Sequence, residues 1–124
     1  MRKKKIMIVD DDRDFLSELE QALLLSDYEL LAVNDSTLAL SMARTANPDL
    51  IVVDLKMQGL NGFQLADRLK QKAETMDIPV IAMTGYFTRE QHWDLMSACG
   101  IRDCLKKPFY PQELVTHIEV ILQK

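Results

Sequence analysis

Short runs of apolar residues recur along the chain, and most of them end at a polar or charged residue. Between them lie longer stretches in which apolar residues fall at helical spacing. This alternation is typical of a parallel β-sheet that is buried on both faces by helices. The strands that it predicts are residues 6–9, 29–33, 50–53, 80–83 and 102–106.

The intervening stretches carry helix start and stop signals. Asp12 is placed to cap the first helix, Asn47-Pro48 ends the second, and Pro111 suits the first position of the last. A fourth helix is predicted over roughly residues 88–99. Five strands that alternate with five helices predict a doubly wound α/β fold with right-handed crossovers.

The polar residues at the strand ends are the candidate chemical groups. Asp10 and Asp11 follow the first strand, Asp54 the third, Thr84 the fourth and Lys107 the fifth. Ligands of parallel α/β sheets bind just beyond the carboxyl ends of the strands, so these groups should share one edge. Two strand orders are common for this pattern. In one of them, 2-1-3-4-5, the first and third strands are neighbours and the three aspartates meet.

Three carboxylates at one edge need a cation. Two carboxylates about 4 Å apart repel each other by roughly 4 kcal/mol at an effective dielectric constant of ~20. An all-oxygen site of this kind suits Mg²⁺ or Mn²⁺. We expect Asp11 to bind the metal directly and Asp10 to bind it largely through water. The backbone carbonyl of Lys56 would complete the protein ligands, and the Lys107 ammonium would add positive charge.

The same residues favour phosphoryl transfer. A carboxylate can attack phosphorus to form an aspartyl phosphate, and Asp54 is the candidate nucleophile. The metal and Lys107 would neutralise the oxygens of the transferring group, and the Thr84 hydroxyl would bond to one of them.

Taken together, these residues resemble the receiver domain of bacterial response regulators. The motifs that carry the resemblance are spread over essentially the whole chain and lie at residues 8–12, 54–57, 61–62, 84–85 and 107–109. No single motif is specific, but four of them at the right strand ends and in the right order are. The resemblance implies a flavodoxin-like (βα)5 fold with the strand order 2-1-3-4-5.

The resemblance also implies a function. Asp54 would accept phosphate from a histidine kinase or phosphotransfer protein, with Mg²⁺ bound by Asp10, Asp11 and Asp54. Phosphate would shift a two-state equilibrium in the face formed by helix four, strand five and helix five, and Thr84 would move toward the phosphate. The domain would catalyse only its own phosphorylation and dephosphorylation. Its output would pass to a downstream protein or an output domain, and a phosphorylation-dependent dimer is possible.

Three features depart from the family pattern. Gln58 stands where the family usually has proline, so the loop after Asp54 should be less rigid. Cys104 stands where a tyrosine or phenylalanine usually swings inward, and a cysteine cannot gate by ring rotation. The sequence ends with the last helix, so we expect either a stand-alone regulator or a fragment. The alternative to a working receiver is an inactive one that acts as a constitutive interaction module.

Two side chains are expected to control the lifetime of the phosphoryl group. Lys56 and Tyr86 each lie two residues after a site residue, Asp54 and Thr84 respectively. In this fold both would overhang the phosphoryl group and the path of an attacking water. We therefore predict that together they slow hydrolysis of the aspartyl phosphate.

Composition and charge limit the domain organisation and the functions that we expect. The 124 residues are expected to form one domain, 1–124, and they are 48% hydrophobic and 27% charged with a net charge of −4. That charge gives no reason to expect nucleic-acid binding, and no apolar run approaches the ~20 residues that span a membrane. Cys99 and Cys104 have no metal-site or disulfide spacing, which fits reduced thiols in the cytoplasm.

Overall fold

The strands form a parallel sheet in the predicted order. The computed structural model describes residues 3–86 and 89–123, without the side chain of Arg89. Within these ranges it has five parallel strands in the order β2-β1-β3-β4-β5. The strands are β1 (Lys4–Val9), β2 (Tyr28–Val33), β3 (Leu50–Asp54), β4 (Val80–Thr84) and β5 (Ile101–Lys106). The predicted doubly wound α/β fold, with order 2-1-3-4-5, is confirmed.

A helix follows each strand of the described chain. The helices are α1 (Arg13–Ala22), α2 (Ser36–Ala46), α3 (Gly62–Lys70), α4 (Arg89–Ala98) and α5 (Pro111–Leu122). The side chain of Asp12 caps α1 as predicted, and Asn47 ends α2 in the left-handed conformation. The predicted start of the fourth helix at Thr88 lies outside the described residues. No helix in the described part of the chain is long and apolar enough to cross a membrane.

The core lies on both faces of the sheet. Alternate residues of β1 and β3 point to opposite faces, so Met7 and Ile51 belong to one buried cluster and Ile8 and Val52 to the other. All four side chains are at most 2% exposed. The continuous apolar runs of the sequence are therefore strands with a core on each side, as expected.

The strands extend beyond the apolar runs that predicted them. β1 begins at Lys4 because its backbone pairs with β2 as far as Tyr28, although the lysine side chain is exposed. At the other end, Asp54 and Thr84 are the last residues of β3 and β4 rather than the first residues after them. This placement holds both side chains at the carboxyl edge of the sheet.

Candidate functional site

Three carboxylates meet at the carboxyl edge of β1 and β3. The two strands are direct neighbours, with Val9 opposite Val53, so the residues that follow each of them are brought together. One oxygen from each of Asp10, Asp11 and Asp54 lies within 4.8 Å of the others. Asp10 and Asp54 are buried and Asp11 is exposed. The structure thus brings together the three aspartates that the sequence singled out.

Asp10 is held firmly in place. Its side chain is 1% exposed, its Oδ1 accepts a hydrogen bond from the Asp12 backbone N–H at 2.9 Å, and its own N–H donates to the Val33 carbonyl at 3.0 Å. Its Oδ2 lies 2.6 Å from the Nζ of Lys107. A buried carboxylate needs such partners, because an unpaired buried charge is strongly disfavoured.

Lys107 brings the positive charge to the cluster from the end of β5. Its Nζ lies 2.6 Å from Asp10 and 3.6 Å from Oδ2 of Asp54. The same ammonium lies 4.2 Å from the ring centroid of Phe15, which in turn makes an edge-to-face contact with Phe109. The predicted counter-charge is therefore in the site, and an aromatic ring lies against it.

Asp54 has an unusual proton affinity in this setting. Its pKa is raised from 3.8 to about 6, first by burial and then by the neighbouring charges of Asp10 and Asp11. The Lys107 ammonium and a backbone hydrogen bond from Lys56 lower the pKa, but they do not offset burial and repulsion. A cation bound beside this carboxylate would favour its charged form.

The loop between β3 and α3 contacts the cluster through its backbone. The Gln58 N–H donates to Oδ2 of Asp11 at 3.0 Å, and the Gln58 carbonyl accepts from the Ser36 hydroxyl at 3.0 Å. The expectation that Gln58 makes this loop less rigid than a proline would stays a prediction. What the structure adds is two hydrogen bonds from the Gln58 backbone that join α2, the loop and Asp11.

Thr84 lies at the edge of the site. It is 2% exposed, its hydroxyl accepts a hydrogen bond from the Tyr86 N–H at 3.0 Å, and its carbonyl accepts from the Lys107 N–H at 2.8 Å. The cleft above the carboxylates is lined by Lys56 and Tyr86 among others, and the Lys56 Nζ lies 4.0 Å from the Tyr86 ring centroid. The two side chains expected to overhang the site therefore contact each other there.

The donor set fits a small divalent cation. The cleft is lined by four carboxylates, the three of the cluster and that of Asp12, and by the ammonium groups of Lys56 and Lys107, which leaves an excess of two negative charges. Carboxylate oxygens are the ligands that Mg²⁺ and Mn²⁺ prefer. Lys56 lies at the rim of this cleft, and its backbone carbonyl as a further ligand stays a prediction.

Comparison with known proteins assigns the family. The family model described as "Response regulator receiver domain" matches residues 6–119. The chain belongs to the response regulator receiver domain family. The resemblance seen in the strand-end motifs is thereby confirmed, and receiver domains are signalling domains.

Curated relatives support the assignment. The receiver domain is 33% identical over 121 residues to the phosphate regulon transcriptional regulatory protein PhoB of Pseudomonas aeruginosa, covering 98% of this chain and 52% of PhoB. It is 34% identical over 120 residues to protein PilH of the same species, covering 95% of this chain and 97% of PilH. The chain thus spans about half the length of PhoB and nearly all of PilH.

A solved structure has the same fold. The chemotaxis protein CheY4 of Vibrio cholerae superposes with a TM-score of 0.90 at 25% sequence identity, covering 98% of this chain and 100% of that one. The flavodoxin-like architecture of the receiver domain is therefore shared over almost its full length.

Some site residues were missed by the sequence analysis. The backbone N–H of Gln58 and the hydroxyl of Ser36 gave no signal, because neither residue type is characteristic of a metal or phosphate site. The spacing of Phe15 within the first helical stretch is typical of a core residue and gave no sign that its ring lies against the Lys107 ammonium. Only the path of the loop and the packing of α1 could reveal these contacts.

Proposed function

We propose that residues 1–124 act as the phosphoacceptor domain of a two-component system, with Asp54 as the acceptor. The donor would be a histidine kinase or a histidine phosphotransfer protein. Mg²⁺, or Mn²⁺ in its place, would be held by Asp10, Asp11, Asp54 and the Lys56 backbone carbonyl. The observation that carries this proposal is the position of the Asp54 carboxylate, within 4.8 Å of two further carboxylates and 3.6 Å from the Lys107 ammonium.

The proposed reaction is a displacement at phosphorus. One oxygen of the charged Asp54 carboxylate forms a bond to phosphorus, the bond to the donor breaks, and the donor keeps that electron pair. The bound cation would supply positive charge to the phosphoryl oxygens. Lys107 would add a second positive charge to the same oxygens, since its Nζ already lies near both Asp10 and Asp54.

Signalling would follow from a change around Thr84. In the present structure its hydroxyl accepts the Tyr86 N–H. In the phosphorylated protein we expect this hydroxyl to bond a phosphoryl oxygen instead, which would pull the end of β4 and bias the face formed by α4, β5 and α5. Cys104 lies half-buried on β5 opposite Ala82, so this coupling would run without a rotating aromatic ring.

The proposed partners follow from the family. Output would pass through a downstream protein or through an output domain. Relatives of both lengths exist, since the chain spans about half of PhoB and nearly all of PilH. A phosphorylation-dependent dimer is also part of the proposal. The receiver would work in the cytoplasm, with no membrane contact and no direct binding to nucleic acid.

The proposal is tested with a small phosphodonor. The wild type, incubated with acetyl phosphate and Mg²⁺, should gain the mass of one phosphoryl group, and Asp54→Ala should gain none. Asp14→Ala, an exposed carboxylate of α1, is the matched control and should behave like the wild type. No mass gain with acetyl phosphate or with a cognate kinase would instead favour a constitutive interaction module.

A further inference from the structure

The backbone of Gln58 connects a carboxylate of the acidic cluster to the first residue of α2. The Gln58 N–H donates to Oδ2 of Asp11 at 3.0 Å, and the Gln58 carbonyl accepts from Oγ of Ser36, also at 3.0 Å. The Gln58 side chain is exposed. The connection therefore depends on the two backbone groups of this residue rather than on its amide side chain.

Ser36 holds the loop in this position. It is 2% exposed, and its hydroxyl donates to the Gln58 carbonyl while it accepts from the Leu60 N–H at 3.0 Å. Between these two contacts, Gly59 has a φ of +76°, and a Cβ atom there would lie 3.2 Å from Oγ of Ser36. The loop is thus pressed against the start of α2, and the serine hydroxyl is used as both donor and acceptor.

Asp11 is the carboxylate of the cluster with the greatest need of such support. Asp10 is buried and paired with Lys107, and Asp54 is buried, whereas Asp11 is exposed. An exposed side chain loses rotational freedom when it binds a metal, and this loss weakens the binding. A hydrogen bond that already orients the carboxylate reduces that cost, because the side chain is held before the cation binds.

We propose that the Gln58 N–H, held in place by Ser36, is a positioning group that orients Asp11 for the divalent cation. This inference rests on the proposed metal-dependent function. Gln58 is also the position at which this chain departs from the proline usual in receiver domains, and proline has no backbone N–H to donate. The departure thus supplies a donor to Asp11 rather than only removing a rigid ring from the loop.

The experiment compares Gln58→Pro with Gln58→Ala. Both substitutions remove the exposed side chain, but only proline removes the N–H. The Mg²⁺ dissociation constant of each metal-free protein is measured by titration calorimetry at one temperature at which the variants are folded. We expect Gln58→Ala to bind within about twofold of the wild type and Gln58→Pro to bind about fivefold more weakly, which is less than the more than tenfold of a full hydrogen bond to a charged group because the N–H only orients Asp11.

Ser36→Ala supplies an independent test, since proline also restricts φ and the residue before it. This variant keeps the Gln58 N–H and removes the hydroxyl that holds the loop. It should weaken Mg²⁺ binding by about threefold. If Gln58→Pro does not fold, Ser36→Ala measured against the wild type carries the test alone. Urea unfolding without metal records any loss of stability separately, so a purely structural effect would change that midpoint and leave the dissociation constant unchanged.

Three results would overturn the inference. Equal Mg²⁺ affinity of Gln58→Pro and Gln58→Ala would show that the N–H does not orient Asp11. Tighter binding by Gln58→Pro would show that the N–H competes with the cation. Wild-type affinity in Ser36→Ala would remove Ser36 from the proposal. A wild type that binds no Mg²⁺ would overturn the proposed metal site itself, which distinguishes the two failures.

Discussion

At the carboxyl ends of β1 and β3, each carboxylate of the acidic cluster has a partner. Asp10 pairs with Lys107, Asp11 accepts the Gln58 N–H, and Asp54 accepts from the backbone of Lys56. In the face formed by α4, β5 and α5, the helix α4 buries fewer side chains than α3 does. Within the part of α4 whose side chains are described, Met96 is the only fully buried residue, whereas α3 buries Leu65, Ala66 and Leu69.

The comparison distinguishes the acidic cluster from the face that would transmit its state. The acidic edge is already oriented by these contacts, which suits the proposed function of binding a cation and a phosphodonor. On the other face, β5 is an edge strand whose pairing with β4 shifts register between Val80 and Ile81. The contact between β5 and α5 includes a side-chain contact between Asp103 and His117, whose Oδ2 and Nδ1 lie 2.5 Å apart. Elements with few buried contacts open at lower free energy, so α4 is a better candidate than α3 for a part that moves.

The largest effect is expected where α3 meets the end of β3. A Cβ atom at Gly62 would lie 2.5 Å from the backbone oxygen of Asp54 and 2.8 Å from Cα of Leu55. Gly62→Ala should therefore lower the free energy of unfolding by about 2–3 kcal/mol, as measured by urea denaturation. Gly85→Ala is the control, because its Cβ would meet only Lys107, at 3.9 Å, and its effect should stay below about 1 kcal/mol. Equal losses in the two variants would contradict the close packing of α3 on the site.

The second prediction concerns the stability of the metal-free protein as pH changes. The pKa of Asp54 is about 6 in the folded protein against 3.8 as its ordinary value, so the folded state favours the protonated form. Below pH 3.8 this carboxyl lowers the free energy of unfolding very little, because it is protonated in both states. The loss of stability grows as pH rises from 3.8 to about 6 and is complete above pH 6. Asp54→Asn should thus stabilise the metal-free protein by about 2–3 kcal/mol at pH 7.5 and progressively less toward pH 4.

The matched control for this effect is Asp14→Asn, which removes one exposed negative charge from α1. Urea unfolding of both variants between pH 4 and pH 8 makes the comparison. A stabilisation by Asp54→Asn that does not depend on pH, or an equal one by Asp14→Asn, would contradict a raised pKa of Asp54 in the folded protein.

The third prediction sharpens the contrast between the two helices. In the metal-free protein, backbone amides of α4 should exchange with solvent about tenfold faster than those of α3, after correction for intrinsic rates. Hydrogen-exchange mass spectrometry of peptides from residues 62–70 and 89–98 measures this ratio. Met96→Ala should raise exchange in α4 and leave α3 unchanged. Equal protection of both helices would remove the physical basis for placing the mobile face at α4.

The smallest effect is expected at the mouth of the cleft. The Lys56 ammonium lies 4.0 Å from the Tyr86 ring centroid, in a contact that is worth little on an exposed surface. Replacing both residues, as Lys56→Ala/Tyr86→Ala, should speed hydrolysis of the aspartyl phosphate by about threefold, measured as phosphate release. Lys72→Ala, which removes an exposed charge elsewhere, should release phosphate at the wild-type rate. Unchanged release from the double variant would show that these side chains do not cover the phosphoryl group.

The sequence predicted the acidic edge more fully than the face formed by α4, β5 and α5. The three aspartates and Lys107 were predicted to meet because carboxyl ends of parallel strands share one edge, and they do meet. That argument needs only the strand pattern and the strand order. The contact between Gln58 and Asp11 depends on where a loop crosses a neighbouring helix, and apolar periodicity carries no information about that path.

The same limit applies to Thr84 and Cys104. Their places at the end of β4 and within β5 followed from the pattern of apolar residues. The burial of Thr84 and its hydrogen bond with Tyr86, however, come from the turn that follows the strand. Cys104 was recognised as a departure from the family pattern, and the structure places it half-buried against one core cluster. How that packing changes on activation depends on a second conformation, which a single pattern of residues does not encode.

The most direct test locates the phosphoryl group on the chain. The protein is incubated with acetyl phosphate, either with Mg²⁺ or with a chelator, and then treated with borohydride, which reduces an acyl phosphate to an alcohol. Peptide mass mapping then identifies the modified residue. We predict homoserine at position 54 in the Mg²⁺ sample and unmodified aspartate there in the chelated one. Homoserine at Asp10 or Asp11, or an unmodified Asp54 with Mg²⁺ present, would contradict the assignment of Asp54 as the acceptor.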